Sequence, residues 1–202
     1  MTQRTLDPRM LDTDTALPAM SGAALTGLAT DFVKINESNP SGASNVTFTS
    51  SHFDNSTYNT YLFTFGNIAP SNDGTHWTLV TSTDAGSSYG SSYQWTQKQT
   101  AVNGAESILQ YETASTIQMT TDNNWGSASN EELSGHIWLY QPGDAKQGKF
   151  TWHCAYDDDQ AGTYFTQNIG SARTNTATDI DTVKFAPSAG TITGTIIMYG
   201  LK

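Results

Sequence analysis

The segment KFTWHCAY, residues 149–156, decides how this chain folds. Phe150, Trp152, Cys154 and Tyr156 alternate with Lys149, Thr151, His153 and Ala155, a period of two that gathers the large apolar side chains on one face of a strand. The same alternation recurs on either side. Tyr61, Phe63 and Phe65 alternate with Thr60, Leu62 and Thr64, and Val46 and Phe48 with Thr47 and Thr49. Trp77, Leu79 and Thr81 share one face, with His76, Thr78 and Val80 on the other. Further strands are predicted over residues 108–112, 117–121, 134–140, 180–185 and 191–199.

Turn chemistry separates these runs at the spacing of a sandwich. It is carried by Asn39-Pro40-Ser41-Gly42, Asn72-Asp73-Gly74, Asp84-Ala85-Gly86, Pro142-Gly143-Asp144 and Ser188-Ala189-Gly190. After residue 30 no long segment has helical periodicity. The pattern predicts an all-β chain: a jelly-roll-like antiparallel β-sandwich over residues 31–202 behind an extended N-terminal arm, residues 1–30. Residues 123–132 and 157–178 read as long polar loops, the places on a rigid sheet where binding normally resides.

The arm differs from the rest. It holds two of the three arginines, no aromatic residue, and Pro8 and Pro18, and it cannot form its own core. Its expected role is attachment to a partner subunit, with Arg4, Leu6, Pro8, Arg9 and Leu11 as the contact residues. No apolar segment among the first twenty residues has the form of a signal peptide, and no stretch approaches the ~20 apolar residues of a membrane span. Synthesis in a cytoplasm is therefore expected, without membrane insertion.

Composition narrows the function classes. Hydrophobic residues are 36% and charged residues 14% of the 202, the balance being Ser, Thr, Asn, Gln and Gly. Ordinary globular chains carry about 25% charged residues. Aromatics at 11% nevertheless require a folded core. The net charge of -10 repels phosphate and argues against a nucleic-acid partner. The single cysteine, Cys154, excludes an internal disulfide framework and reads as a small buried hydrophobe. His153 is its neighbour, but adjacent strand residues point to opposite faces, so the two cannot form a dyad.

Candidate catalytic groups are sparse, and none is assigned. His52, His76, His136 and His153 lack metal-ligand spacing, although His76 and His136 could meet across strands. No nucleophile elbow, phosphate loop or dinucleotide fingerprint occurs, so no cofactor is expected. Asp157-Asp158-Asp159 lacks the alternating acids and final glutamate of a calcium loop and reads as solvated. A glycan site needs an aromatic platform beside amides. Trp125, beside Asn123 and Asn124, has that mixture, and Trp95, beside Tyr93 and Gln94, is a second candidate. Both tryptophans could instead be anchors at sheet edges or interfaces. Trp138 and Trp152 are expected in the core.

Three segments carry a family resemblance: FDNSTYNTYLFTFGNIAPSNDGTHWTLVTSTDAGSSY (53–89), ELSGHIWLYQP (132–142) and TDIDTVKFAPSAGTITGTIIMYGLK (178–202). Their order resembles a β-sandwich module of tail and virion structural proteins common in marine tailed phages, cyanophages included, and TLDPRML (5–11) looks like the opening of phage adaptor or fibre-type proteins. The resemblance implies a non-catalytic virion component that assembles as a homo-oligomer. Of the positions it could hold, a short tail fibre or tail appendage contributing to host adsorption ranks first, with a homotrimer as the guessed assembly. A capsid decoration or head-fibre protein is the structural alternative. A free carbohydrate-binding lectin and a glycan hydrolase rank lower. The expected partners are other virion proteins through the arm and a host surface glycan.

Overall fold

The computed structural model describes residues 32–120, 125–157 and 164–202. The arm residues Arg4, Leu6, Pro8, Arg9 and Leu11 lie outside the described residues, as do Asn123, Asn124, Asp158 and Asp159. The described chain is an antiparallel β-sandwich of two unequal sheets.

Thirteen strands follow in order: β1 (Phe32–Ser38), β2 (Ser41–Ala43), β3 (Val46–Phe48), β4 (Thr60–Pro70), β5 (Trp77–Ser82), β6 (Tyr93–Ala101), β7 (Glu106–Ala114), β8 (Ile117–Gln118), β9 (Leu133–Tyr140), β10 (Gln147–Asp157), β11 (Phe165–Ala177), β12 (Thr182–Pro187) and β13 (Ile192–Leu201). The larger sheet has the order β1-β13-β4-β9-β10-β11-β6-β7, with β2 also paired to β13. The smaller has the order β3-β12-β5-β8.

Alternation decides which side chains enter the space between the sheets. Tyr61, Phe63, Ile137, Leu139, Phe150, Trp152, Ile196 and Met198 are buried from the large sheet, and Phe48, Leu79, Val183 and Phe185 from the small one. The two sets meet edge to face. Phe48 and Phe185 approach Phe63 at 5.2 and 5.3 Å between ring centroids, and Trp77 meets Phe65 at 5.7 Å. Phe185 also stacks on Trp77 at 5.6 Å and 13°. Each such pair adds about 0.5–1.5 kcal/mol beyond the apolar area it buries. The strand forecast from KFTWHCAY is β10, with Phe150, Trp152, Cys154 and Tyr156 buried as the alternation requires.

The last strand behaves as its composition suggests. Gly194, at φ +139°, takes up the register shift between Thr193 and Thr195, where a Cβ would come within 2.6 Å of the Asn67 carbonyl oxygen. Ile192, Ile196 and Met198 enter the core, while Ile197, Tyr199 and Leu201 are half-buried on the opposite face.

Two expectations are corrected. Residues 165–177 form β11, the longest strand, hydrogen-bonded between β10 and β6 rather than looping over the surface. Its inward residues Thr166, Asn168, Ala172 and Thr174 are buried but small or polar, so they give no hydrophobic signal. Asn168 Nδ2 donates to Gln97 Oε1 at 3.2 Å and to the Met119 carbonyl at 3.3 Å, and Gln97 Nε2 donates to the Thr120 carbonyl at 3.0 Å. These bonds satisfy polar groups that would otherwise be costly to bury. Trp138 lies on the outer face of the large sheet, half-buried, because it alternates with the buried Ile137 and Leu139.

Candidate functional site

The four strands β9, β10, β11 and β6 present one continuous outward face. Antiparallel register aligns a row across it: Tyr140 opposite Lys149, Lys149 opposite Arg173, and Arg173 opposite Gln94. A second row runs Trp138, Thr151, Ser171 and Thr96. Each member alternates with a core residue, which is why its own side chain faces outwards. A groove of about 520 Å³ lies over these two rows apart from Trp138, with Glu112 of β7 also lining it.

Contacts hold several of the groove side chains. The Tyr140 and Trp138 rings lie nearly parallel at 13°, 6.4 Å apart, and the Tyr140 hydroxyl is 3.0 Å from the Thr151 hydroxyl. Arg173 donates from Nε to Gln94 Oε1 at 2.9 Å and from Nη1 to Gln147 Oε1 at 2.7 Å. Both of these partners are neutral, so they orient the guanidinium without neutralising it. Among the described residues the ion pairs are Lys34–Glu37, Lys98–Glu106 and Lys146–Asp144, and neither Lys149 nor Arg173 takes part in one.

One row further along the same face, His136 pairs with His153 across β9 and β10, with ring centroids 6.1 Å apart. Partial burial, and then the neighbouring His153, hold the His136 pKa below the usual histidine value. His136 does not meet His76, the less favoured of the two readings: its cross-strand neighbours are His153 and Thr64, whereas His76 precedes β5 in the small sheet. Cys154 points into the core, fully buried, and burial pushes its thiol pKa strongly up. His153 is on the other side of the sheet, as alternation requires.

The tryptophans proposed as sugar platforms are placed differently. Trp125 is 0% exposed, packs on Trp77 at 5.8 Å, bridges to Thr75 and donates Nε1–H to the Glu131 carbonyl at 3.2 Å. With no open ring face it anchors its loop to the core instead of stacking on a ligand. Trp95 is 5% exposed, lies on Tyr111 at 4.6 Å and donates Nε1–H to the Thr116 carbonyl at 3.0 Å. Trp95 is among the residues lining the groove, but its side chain belongs to the inward set with Tyr93 and Gln97.

Tyr140, Lys149 and Arg173 were not legible as a site because they stand on three strands and form no local motif. The available signal was the outward half of KFTWHCAY, whose Lys149 and Thr151 both line the groove. Among the described residues no group of three or more His, Cys, Asp or Glu is placed to hold a metal ion, and no helix is long and apolar enough to cross a membrane. No family model matches the chain, and neither a curated protein nor a solved structure matches it. Fold and geometry define the class on their own: an antiparallel β-sandwich with an aromatic and cation-bearing sheet face that no described residues cover.

Proposed function

We propose that the chain is a virion structural protein of a tailed bacteriophage, a short tail fibre or tail appendage that contributes to host adsorption. The observation that carries this reading is the bare outer face of the large sheet. There Trp138, Tyr140, Ile169 and Phe165 stand on hydrogen-bonded strands with no second layer over them among the described residues. An exposed array of this kind on a rigid support marks a surface that meets another molecule. The composition, rich in uncharged polar residues, and the resemblance of residues 53–89, 132–142 and 178–202 to phage virion modules support the same reading. In this reading residues 1–30 attach the protein to the particle through Arg4, Leu6, Pro8, Arg9 and Leu11. The assembly is a homotrimer, whose cyclic symmetry suits a radial attachment point.

The test is location. Antibody raised against residues 31–202 should label purified particles at the tail in electron micrographs, and tryptic peptides of the chain should appear in those particles. A chain lacking residues 1–30 should fold but be missing from them. Label confined to the head would move the protein to the capsid-decoration reading. Particles containing no trace of the chain would end the virion reading altogether.

A further inference from the structure

We propose that the groove over β9, β10, β11 and β6 binds the acidic sugar residues of a polysaccharide, with Tyr140 as stacking platform and Lys149 and Arg173 as anion contacts. This deepens the adsorption reading by naming the class of ligand, but its chemistry stands on the groove alone.

The groove lining contains two cations, Lys149 and Arg173, against one acid, Glu112, in a chain whose totals are 9 Lys and Arg against 19 Asp and Glu. Its local sign is thus opposite to that of the molecule. Lys149 and Arg173 also face each other directly across β10 and β11. Like charges in that position destabilise a sheet. No carboxylate closes an ion pair with either of them among the described residues. An anion seated between them would relieve the repulsion and gain charge-assisted hydrogen bonds from both. The oriented guanidinium of Arg173 suits a planar carboxylate or a sulfate ester.

The remaining lining fits the neutral part of a sugar. Tyr140 is 38% exposed and backed by Trp138, so one aromatic surface is offered at the end of the charged row. Thr96, Thr151, Ser171, Gln94 and Glu112 supply hydroxyl, amide and carboxylate partners for sugar hydroxyls. From Tyr140 to Gln94 the row crosses four strands, three spacings of about 4.8 Å or roughly 14 Å in all. That length and the open, shallow form suit two or three linked sugar rings.

Binding by the full chain should be measured calorimetrically with three probes: oligogalacturonate, dextran sulfate and neutral dextran. Oligogalacturonate, dextran sulfate or both should bind, more weakly as salt rises, and neutral dextran should bind at least about tenfold less tightly. The arm that binds best identifies carboxylate or sulfate as the anionic group. Tyr140→Ala and the pair Lys149→Gln with Arg173→Gln should each weaken binding about tenfold or more, whereas Lys184→Gln, on the small sheet, should leave it unchanged. All these positions are at least partly exposed, and an unchanged thermal midpoint checks that the variants fold. Equal affinity for neutral dextran, or no binding of either acidic probe, would overturn the proposal. So would tighter binding of poly-glutamate than of both acidic glycans, or self-association of the chain abolished by the same variants, each marking the groove as a protein interface. None of these results depends on whether the chain is found in particles.

Discussion

Gly170 shows how closely the inner face of the large sheet is packed. It pairs with Trp152, and a Cβ at this position would stand 2.2 Å from the indole and 2.8 Å from the Thr96 carbonyl oxygen. The ring cannot retreat without disturbing the buried layer around it, which has the density of a crystal. Gly170→Ala is expected to cost about 1–3 kcal/mol, as overpacking does, read from the urea midpoint. Ser171→Ala, one residue on and facing outwards, should change stability by no more than about 0.5 kcal/mol. A Gly170→Ala protein as stable as the parent would mean that the indole does not lie over the glycine.

At the scale of the strands, the paired histidines of β9 and β10 make the sheet sensitive to acid. The His136 pKa is depressed by burial first and by His153 second. The folded state therefore takes up its proton less readily than the unfolded chain. Stability is complete above the unfolded histidine value, near 6.5. It falls as pH drops from there through the lower folded value. His153→Gln should move the His136 titration part of the way back up, followed by proton NMR of the ring, and should soften the loss of stability below pH 6. An unmoved titration would leave burial as the whole cause. The strands also show what a sequence can display. β4, β5 and β10 were legible because large apolar side chains alternate with polar ones, and β13 because an apolar run follows the Ser188-Ala189-Gly190 turn. β11 was not, because Thr166, Asn168, Gly170 and Ala172 satisfy the core by hydrogen bonding and small size rather than by hydrophobicity. Missing β11 hid the groove, since Arg173 and Ser171 acquire their neighbours only through its register. Trp125 misled for a related reason: a tryptophan amid polar residues looks like a platform until its ring is found in the core.

Across the whole domain, the inequality of the sheets matters more than the strand count. The small sheet, with four strands, cannot cover a partner of nine. β7 accordingly keeps Tyr111, which pairs with the inward Trp95, 45% exposed at one margin. β1 closes the opposite margin by pairing with β13, so the first described strand is held by the last. A chain ending at residue 191 should show no cooperative unfolding transition in urea, because β1, β2 and β4 all lose their β13 partner. A sharp transition near the parent midpoint would show that the remaining sheet suffices. The same pairing constrains manufacture inside the cell. Domains form as units during synthesis at about 5–20 residues per second, and pairings distant in sequence are slow to close. Here the seam joining β1 and β4 through β13 stays open until Leu201 has emerged from the ribosome. Until then the nascent chain carries two unsatisfied strand edges, and its yield should respond to chaperone supply and growth temperature more than its finished stability would suggest.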